Sequence, residues 1–159
     1  MADIHVRVQH DDFSLDAELA RLADPLRRCG AIASFVGQVR NDPAGNHALT
    51  ALTLEHYPGM TERSLHALAS DAAVRFALDA VVIIHRIGTL QPGERIVLAL
   101  TAAAHRKAAL HAVDYLMDHL KSTVPFWKQE HHGAQHRWVD AKHADDAALQ
   151  QWQAHDAAR

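Results

Sequence analysis

Residues 80–103 contain the feature that most constrains the fold. Two apolar, β-branched runs, AVVIIHRIG (80–88) and RIVLALTAA (95–103), flank the turn-forming sequence QPGE (91–94). Runs of this composition around a Pro-Gly turn predict two strands joined as a hairpin. Such a hairpin argues against a doubly wound, purely parallel sheet.

Other strands and helices alternate irregularly along the chain. Residues 4–8 alternate apolar with polar side chains, which predicts a strand with one buried face. The small and apolar run AIASFVGQV (31–39) predicts a strand covered on both sides, and residues 48–57 predict another strand before a Pro-Gly turn. Thr61 is predicted to cap the helix that follows this turn.

The second half of the chain predicts a helix, a hairpin and a final helix. The helix that begins after Ala104 has apolar residues at helical spacing and must end near Val124, because the residue before Pro125 is excluded from the helical region. Two strands are then predicted around Gly133, and residues 144–153 read as a helix.

These elements predict an α+β fold, with an antiparallel or mixed sheet and packed helices. Hydrophobic residues make up 48% of the chain and charged residues 22%, which is typical of a globular protein. A chain of 159 residues is long enough for a core of its own, so we expect a single domain over residues 1–159.

Charge, cysteine count and short motifs exclude several functional classes. The formal net charge of −3 argues against nucleic-acid binding by bulk electrostatics, and a single cysteine, Cys29, allows no internal disulfide. The first residues lack the apolar core of a signal peptide, and no apolar run approaches a membrane span, so a cytoplasmic location is expected. The sequence contains no dinucleotide-binding, Walker or nucleophile-elbow motif.

The segment KSTVPFWKQE (121–130) places two lysines around a proline and two aromatic rings. A lysine partly desolvated by Phe126 and Trp127 has a lowered pKa and can act as an acid, a base or a nucleophile. Each lysine also has a simpler interpretation. Lys121 suits the carboxyl end of a helix through the helix dipole, and Lys128 suits an outward, solvated strand position.

Further cations stand where predicted elements begin or end. Arg40 closes a strand at a Gly/Pro loop, and His105 and Arg106 stand where a strand passes into a helix. The free N–H groups and the dipole of a helix amino terminus favour an anion such as phosphate. From the residues alone, an anion site and ordinary surface ion pairs remain alternatives.

The histidine-rich sequence HHGAQH (131–136) suggests a metal site only superficially. Adjacent side chains on a strand point to opposite faces, which is a poor arrangement for shared ligation, so we predict no metal here. Cys29 lies between arginines and glycine, outside the other notable motifs, and is predicted to be structural.

Six segments in one order resemble the large, catalytic subunit of the molybdopterin synthase family. They are GQVRN (37–41), LTLEHYPGMTE (52–62), IHRIGTLQPGE (84–94), AHRKAAL (104–110), YLMDHLKSTVPFWKQE (115–130) and RWVDA (137–141). The resemblance runs from about Gly30 to Trp152. It implies an α+β fold with a hammerhead-like subdomain, a homodimer, and no cofactor.

The resemblance also implies a reaction and a partner. In this family a small ubiquitin-like subunit docks at each end of the homodimer, which gives a heterotetramer. Its C-terminal Gly-Gly tail carries a thiocarboxylate into a pocket of the large subunit. Two sulfurs are moved onto cyclic pyranopterin monophosphate, which makes the dithiolene of molybdopterin.

Residue roles follow from the same resemblance. Lys121 matches the essential acid/base, and Lys128 matches the lysine that positions the tail. The residues that match the anion-binding set for the pterin phosphate are Arg40, His105, Arg106, Arg137 and Lys142. Family members often carry arginine at the position of Lys142. The residues expected to wall the pocket or anchor the tail are Phe35, Met117, Pro125 and Phe126.

Two other functions remain open on the sequence. A non-catalytic scaffold would bind a ubiquitin-like sulfur-carrier tail without turnover, although loss of one lysine would be its expected signature and both are present. A different enzyme on this fold would act on another phosphorylated heterocycle and ignore the pyranopterin.

Overall fold

The computed structural model describes residues 1–41, 48–139 and 143–157. The strands are β1 (Asp3–Gln9), β2 (Ala31–Gln38), β3 (Ala51–His56), β4 (Ala80–Arg86), β5 (Gly88–Leu90), β6 (Arg95–Ala103), β7 (Phe126–His132) and β8 (Gln135–Val139). The helices are α1 (Leu15–Arg21), α2 (Ala23–Leu26), α3 (Met60–Arg75), α4 (Arg106–Thr123) and α5 (His143–Ala157).

The larger sheet has the order β1-β4-β6-β2 and mixed pairing. β1 runs parallel to β4, whereas β4 pairs antiparallel with β6 and β6 antiparallel with β2. All seven residues of β4 are buried, because successive side chains enter two different cores. Val81 and Ile83 pack under α3 and α4, whereas Val82 and Ile84 pack under the amino-terminal helices. The predicted α+β class with a mixed sheet is confirmed.

The smaller sheet has the order β5-β3-β7-β8 and is antiparallel throughout. The predicted strands around residues 91–94 do pair, but β5 lies between them and belongs to this second sheet. The chain changes sheets at Gly88, whose φ of +90° lies in the region that favours glycine. Leu52, Leu54 and Leu90 form the core under this sheet.

The end of α4 is confirmed at the predicted position. Thr123 is the last helical residue, and Val124 is extended with φ −90° and ψ 131°, as the residue before a proline must be. The chain then enters β7 directly, so the segment that contains both lysines connects the large helix to the smaller sheet.

Two predictions from the sequence are wrong in detail. The strand over residues 31–39 is not covered on both sides: β2 is an edge strand, and Ile32, Phe35 and Val36 are exposed. Thr61 does not cap α3, because Gly59 holds the N-cap position and Thr61 is fully buried inside the first turn. Its hydroxyl is engaged elsewhere, as described below.

Candidate active site

A cavity of about 390 Å³ opens where α4 ends and β7 begins. Its walls come from both sheets and from the last turns of α4. The lining residues are Phe35, Val36, Gly37, Gln38, His85, Ile96, Val97, Met117, Leu120, Lys121 and Lys128. The structure therefore brings together four residues predicted for the site, namely both lysines, Phe35 and Met117.

The two lysines reach this cavity from different elements. Lys121 stands in the last turn of α4, whose carboxyl end favours a positive charge. Lys128 stands on β7 directly opposite Leu54 of β3, and directly opposed residues share a face of the sheet. Because Leu54 is buried in the core of the smaller sheet, Lys128 lies on the inner face and not on an outward one. Both lysine side chains are exposed in the single chain, so the predicted desolvation is absent there.

Buried hydrogen bonds fix the turn that precedes Lys128. The Thr61 hydroxyl donates to the carbonyl oxygen of Pro125 at 2.9 Å and accepts from the backbone N–H of Tyr57 at 3.0 Å. Since Thr61 is fully buried, losing this hydroxyl would leave both backbone groups without their partner. Pro125 was predicted as a wall residue, but its observed contact is this anchor between α3 and β7.

Phe126 forms the support behind the cavity wall. Its ring stacks on the ring of His85, with centroids 3.8 Å apart and planes inclined by 20°. His85 lines the cavity and is buried, and its Nδ1 lies 2.8 Å from the backbone oxygen of Arg86. Burial, together with the charges of Lys128 and His56, lowers the pKa of His85 to about 4. Sequence reasoning missed His85; the available signal was a histidine inside a run of buried β-branched residues.

Comparison with known proteins identifies the family. A family profile described as MoaE protein matches residues 8–123. This chain belongs to the MoaE protein family. The molybdopterin synthase catalytic subunit of Rhizobium meliloti (strain 1021) is 48% identical over 153 residues, which cover 95% of this chain and 97% of that protein.

Solved structures of MoaE proteins share the architecture. Molybdopterin cofactor biosynthesis protein E from Burkholderia multivorans is 47% identical, has a TM-score of 0.79, and is matched over 95% of this chain and 97% of its own. Molybdopterin synthase from Staphylococcus aureus is 25% identical with a TM-score of 0.75, over 84% of this chain and 95% of its own. The resemblance to the catalytic subunit family, inferred from the sequence motifs, is confirmed.

The residues predicted for the anion site are not all close to the lysines of this MoaE chain. His105 is the N-cap of α4 and Arg106 its first residue, and both are exposed. Lys121 is fifteen positions after Arg106 in the same helix, which corresponds to about 22 Å along the axis. Arg40 is also exposed, two residues beyond Gln38 of the cavity wall.

Arg137 lies on β8 and lines a second cavity, not the one that contains the two lysines. Its guanidinium donates to Glu130 at 3.1 Å, and hydrogen bonds from His132 and Arg137 hold the pKa of that carboxyl below its usual range. Arg137 lines a cavity of about 570 Å³ with His132, Gln135 and His136. Because Arg137 is diagonal to Lys128 across β7 and β8, their backbones are about 7–8 Å apart. The prediction for Lys142 lies outside the described residues.

The histidine-rich hairpin follows the strand geometry. His131 contacts Thr53 at 2.7 Å on one face, whereas His132 pairs with Glu130 at 3.0 Å on the other. Over the described ranges, no group of three or more potential ligand residues is close enough to hold a metal ion.

Cys29 lies away from the cavity, against the core under the amino-terminal helices. Its Sγ is 3.4 Å from Asp79, and burial and this carboxylate raise the pKa of the thiol. A raised pKa keeps the thiol protonated and unreactive, which favours the structural role predicted for it. None of the described helices is both long and apolar enough to span a membrane.

Proposed function

We propose that this chain is the catalytic subunit of a molybdopterin synthase. It takes sulfur from the C-terminal thiocarboxylate of a small ubiquitin-like subunit and transfers it to cyclic pyranopterin monophosphate, which yields the molybdopterin dithiolene. Membership of the MoaE family and relatives named as catalytic subunits over nearly the whole chain support this function. The cavity described above supports the same function on chemical grounds.

The observation that carries the proposal is the pairing of Lys121 and Lys128 on the walls of one cavity. Two cations at the end of a cleft attract an anionic terminus, and a tail that ends in glycines brings no side chains that need space. Phe35 and Met117 supply apolar walls beside the lysines. A thiocarboxylate bound between the lysines therefore meets positive charge at its reacting end.

The chemistry assigned to the lysines follows from charge development. When sulfur is transferred, negative charge develops on the oxygen at the tail's carbonyl carbon, and an adjacent ammonium stabilises it. We assign the essential acid/base role to Lys121. Lys128 holds the tail terminus and assists the transfer. Pro125 and Phe126 fix the position of Lys128 through the buried contacts to Thr61 and His85.

We assign the pterin phosphate to His105, Arg106 and Arg40, with contributions from Arg137 and Lys142. Arginine offers a planar fork for phosphate oxygens, and the amino end of α4 adds free N–H groups. Since Arg106 and Lys121 of one chain are about 22 Å apart along α4, one substrate does not touch both. We therefore propose a homodimer in which a second copy supplies the phosphate-binding residues.

Reconstitution tests this function directly. The purified chain is mixed with a thiocarboxylated small subunit and cyclic pyranopterin monophosphate, and molybdopterin is measured as its fluorescent oxidation product. We expect product from the wild type and almost none from Lys121→Ala. Arg27→Ala is the matched control, because it also removes one positive charge but from an exposed surface pair with Asp24.

A folded wild type that binds the small subunit yet makes no product would overturn the enzymatic function. That outcome would favour the non-catalytic scaffold. Turnover of another phosphorylated heterocycle but not of the pyranopterin would favour a different enzyme on this fold. The cytoplasmic location expected from the sequence belongs to the proposal and is checked by cell fractionation.

A further inference from the structure

His85 presents one ring nitrogen, Nε2, as a hydrogen-bond acceptor in the cavity wall. The Nδ1 atom lies 2.8 Å from the carbonyl oxygen of Arg86, and a carbonyl oxygen only accepts, so Nδ1 carries the proton. In a neutral ring, Nε2 is then a hydrogen-bond acceptor. The His85 side chain is only 3% exposed and lines the cavity, so this acceptor is confined to the cavity wall.

The position of the ring brings His85 close to Lys128. His85 stacks on Phe126 at 3.8 Å, and Phe126 is two residues before Lys128 on β7. Residues two apart on a strand lie on the same face, about 7 Å apart. Because the His85 ring covers Phe126, it lies beside Lys128. The side chains of His85 and Lys128 line the same cavity.

Burial, with smaller contributions from nearby charges, keeps the ring of His85 neutral. Burial is the largest cause of its lowered pKa, which falls to about 4, and the charges of Lys128 on β7 and His56 on β3 add to it. His56 is paired with Glu62 of α3 at 3.0 Å, and Lys121 reaches the cavity from α4. Near neutral pH the ring is thus an uncharged acceptor beside Lys128, and it is a poor proton carrier.

We infer that His85 is a positioning residue for the sulfur transfer, which rests on the proposed function. Its Nε2 accepts a hydrogen bond from the Lys128 ammonium and directs that charge toward the carbonyl of the bound tail. A long, flexible lysine side chain samples many rotamers, and one fixed acceptor restricts it to the productive ones. The stacked Phe126 ring and the Nδ1 bond to Arg86 fix the acceptor itself.

Three substitutions separate this role from simple packing. His85→Gln places an amide near the position of Nε2, His85→Asn places one near Nδ1, and His85→Phe keeps the stacked ring without an acceptor. We expect His85→Gln to retain kcat within about threefold, and His85→Asn and His85→Phe to lose about tenfold, the effect of one hydrogen bond. KM for the small subunit should change little, because His85 is buried.

A nuclear magnetic resonance experiment on the free chain tests the pair without turnover. In protein labelled with nitrogen isotope at histidine, the Nε2 resonance of His85 and its titration are compared between wild type and Lys128→Met. We expect the resonance to shift and the titration to move toward the ordinary value of histidine in the variant. Unchanged resonance and titration, or equal kcat for the Gln and Asn variants, would overturn the inference.

The two experiments distinguish the failure of this inference from that of the proposed function. If the wild type makes no molybdopterin but Nε2 responds to Lys128→Met, the catalytic function fails and the hydrogen-bonded pair stands. If the wild type is active and all three His85 variants match it, the positioning role fails and the catalytic function stands. Thermal unfolding of each variant checks that a lost kcat is not lost fold.

Discussion

The two ends of α4 both present cations, but they are built differently. At the amino end, His105 and Arg106 are exposed and rely on the free N–H groups of the helix. At the carboxyl end, Lys121 lines a cavity whose other walls come from both sheets. The proposed anion site therefore depends mainly on the helix terminus, whereas the proposed catalytic site depends on tertiary contacts such as those of Thr61 and His85.

The largest expected effect is on kinetics, and it differs between the two ends of α4. Lys121→Ala should lower kcat at least hundredfold, the usual contribution of a general acid or base. Arg106→Ala should instead raise KM for the pterin about tenfold to hundredfold, through loss of a charged hydrogen bond, with a smaller change in kcat. Steady-state kinetics on the reconstituted complex measures both. A raised KM with unchanged kcat in Lys121→Ala would contradict the assignment.

The buried His85, near the carboxyl end of α4, makes the free energy of unfolding of the chain depend on pH. His85 has a pKa of about 4 in the folded chain and an ordinary value near 6.5 when unfolded, so the unfolded state binds the extra proton. The contribution of His85 is fully present above pH 6.5 and is lost as pH falls toward 4, for a total of about 3 kcal/mol. Below that range no further loss is expected from this group.

Urea unfolding of wild type and His85→Gln across pH 4 to 7 isolates this effect. Other histidines and carboxylates titrate in both proteins, so the difference between the two curves reports His85. The wild type should lose stability relative to the variant as pH falls. A difference that stays constant with pH would show that the ring is not desolvated in solution.

The sequence was informative wherever local chemistry decides the structure. Pro125 ended α4 at the predicted residue, and the runs at 80–88 and 95–103 paired as expected. The burial of β2 was predicted wrongly. Apolar composition indicates average burial, whereas an edge position depends on the order of strands in the sheet. The insertion of β5 was missed for the same reason, since pairing with β3 involves residues more than thirty positions away.

Part of the candidate site was also accessible from the sequence. Lys121, Lys128, Phe35 and Met117 were selected through family-like motifs and line one cavity. His85 was not selected, because its importance lies in a stacked ring and a place in the cavity wall, which no spacing pattern reports. The buried role of Thr61 was likewise hidden, since a threonine near a helix start is predicted first as a cap.

Mixing two impaired variants tests whether the ends of α4 meet across a dimer, with the pterin kept well below the raised KM of Arg106→Ala. In a mixed dimer of Lys121→Ala and Arg106→Ala chains, one site loses both residues and the other regains both. Random mixing makes half of the dimers mixed, so roughly a quarter of the wild-type activity should return.

The control is a mixture of each variant with itself, which should stay at its own low activity. Mixing requires exchange of subunits, achieved by mild unfolding and refolding together, and dimer formation is followed by light scattering. No recovery in a verified mixed dimer would show that each chain uses only its own residues, and the proposed sharing would be wrong.

The smallest expected effects are changes in unfolding free energy at two buried threonines near opposite ends of α4. The Thr101 hydroxyl donates to Ala109 in the first turns of the helix at 2.7 Å, as Thr61 donates to Pro125 beyond its end at 2.9 Å. Thr61→Val strands two backbone groups and should cost about 1–3 kcal/mol of unfolding free energy, whereas Thr101→Val should cost about 1 kcal/mol. Urea unfolding measures both.

Because Thr61 fixes the chain just before Lys128, its valine variant should also lower kcat, and Thr101→Val should raise KM for the pterin instead. Equal kinetic effects would mean that the two ends of the helix do not act separately.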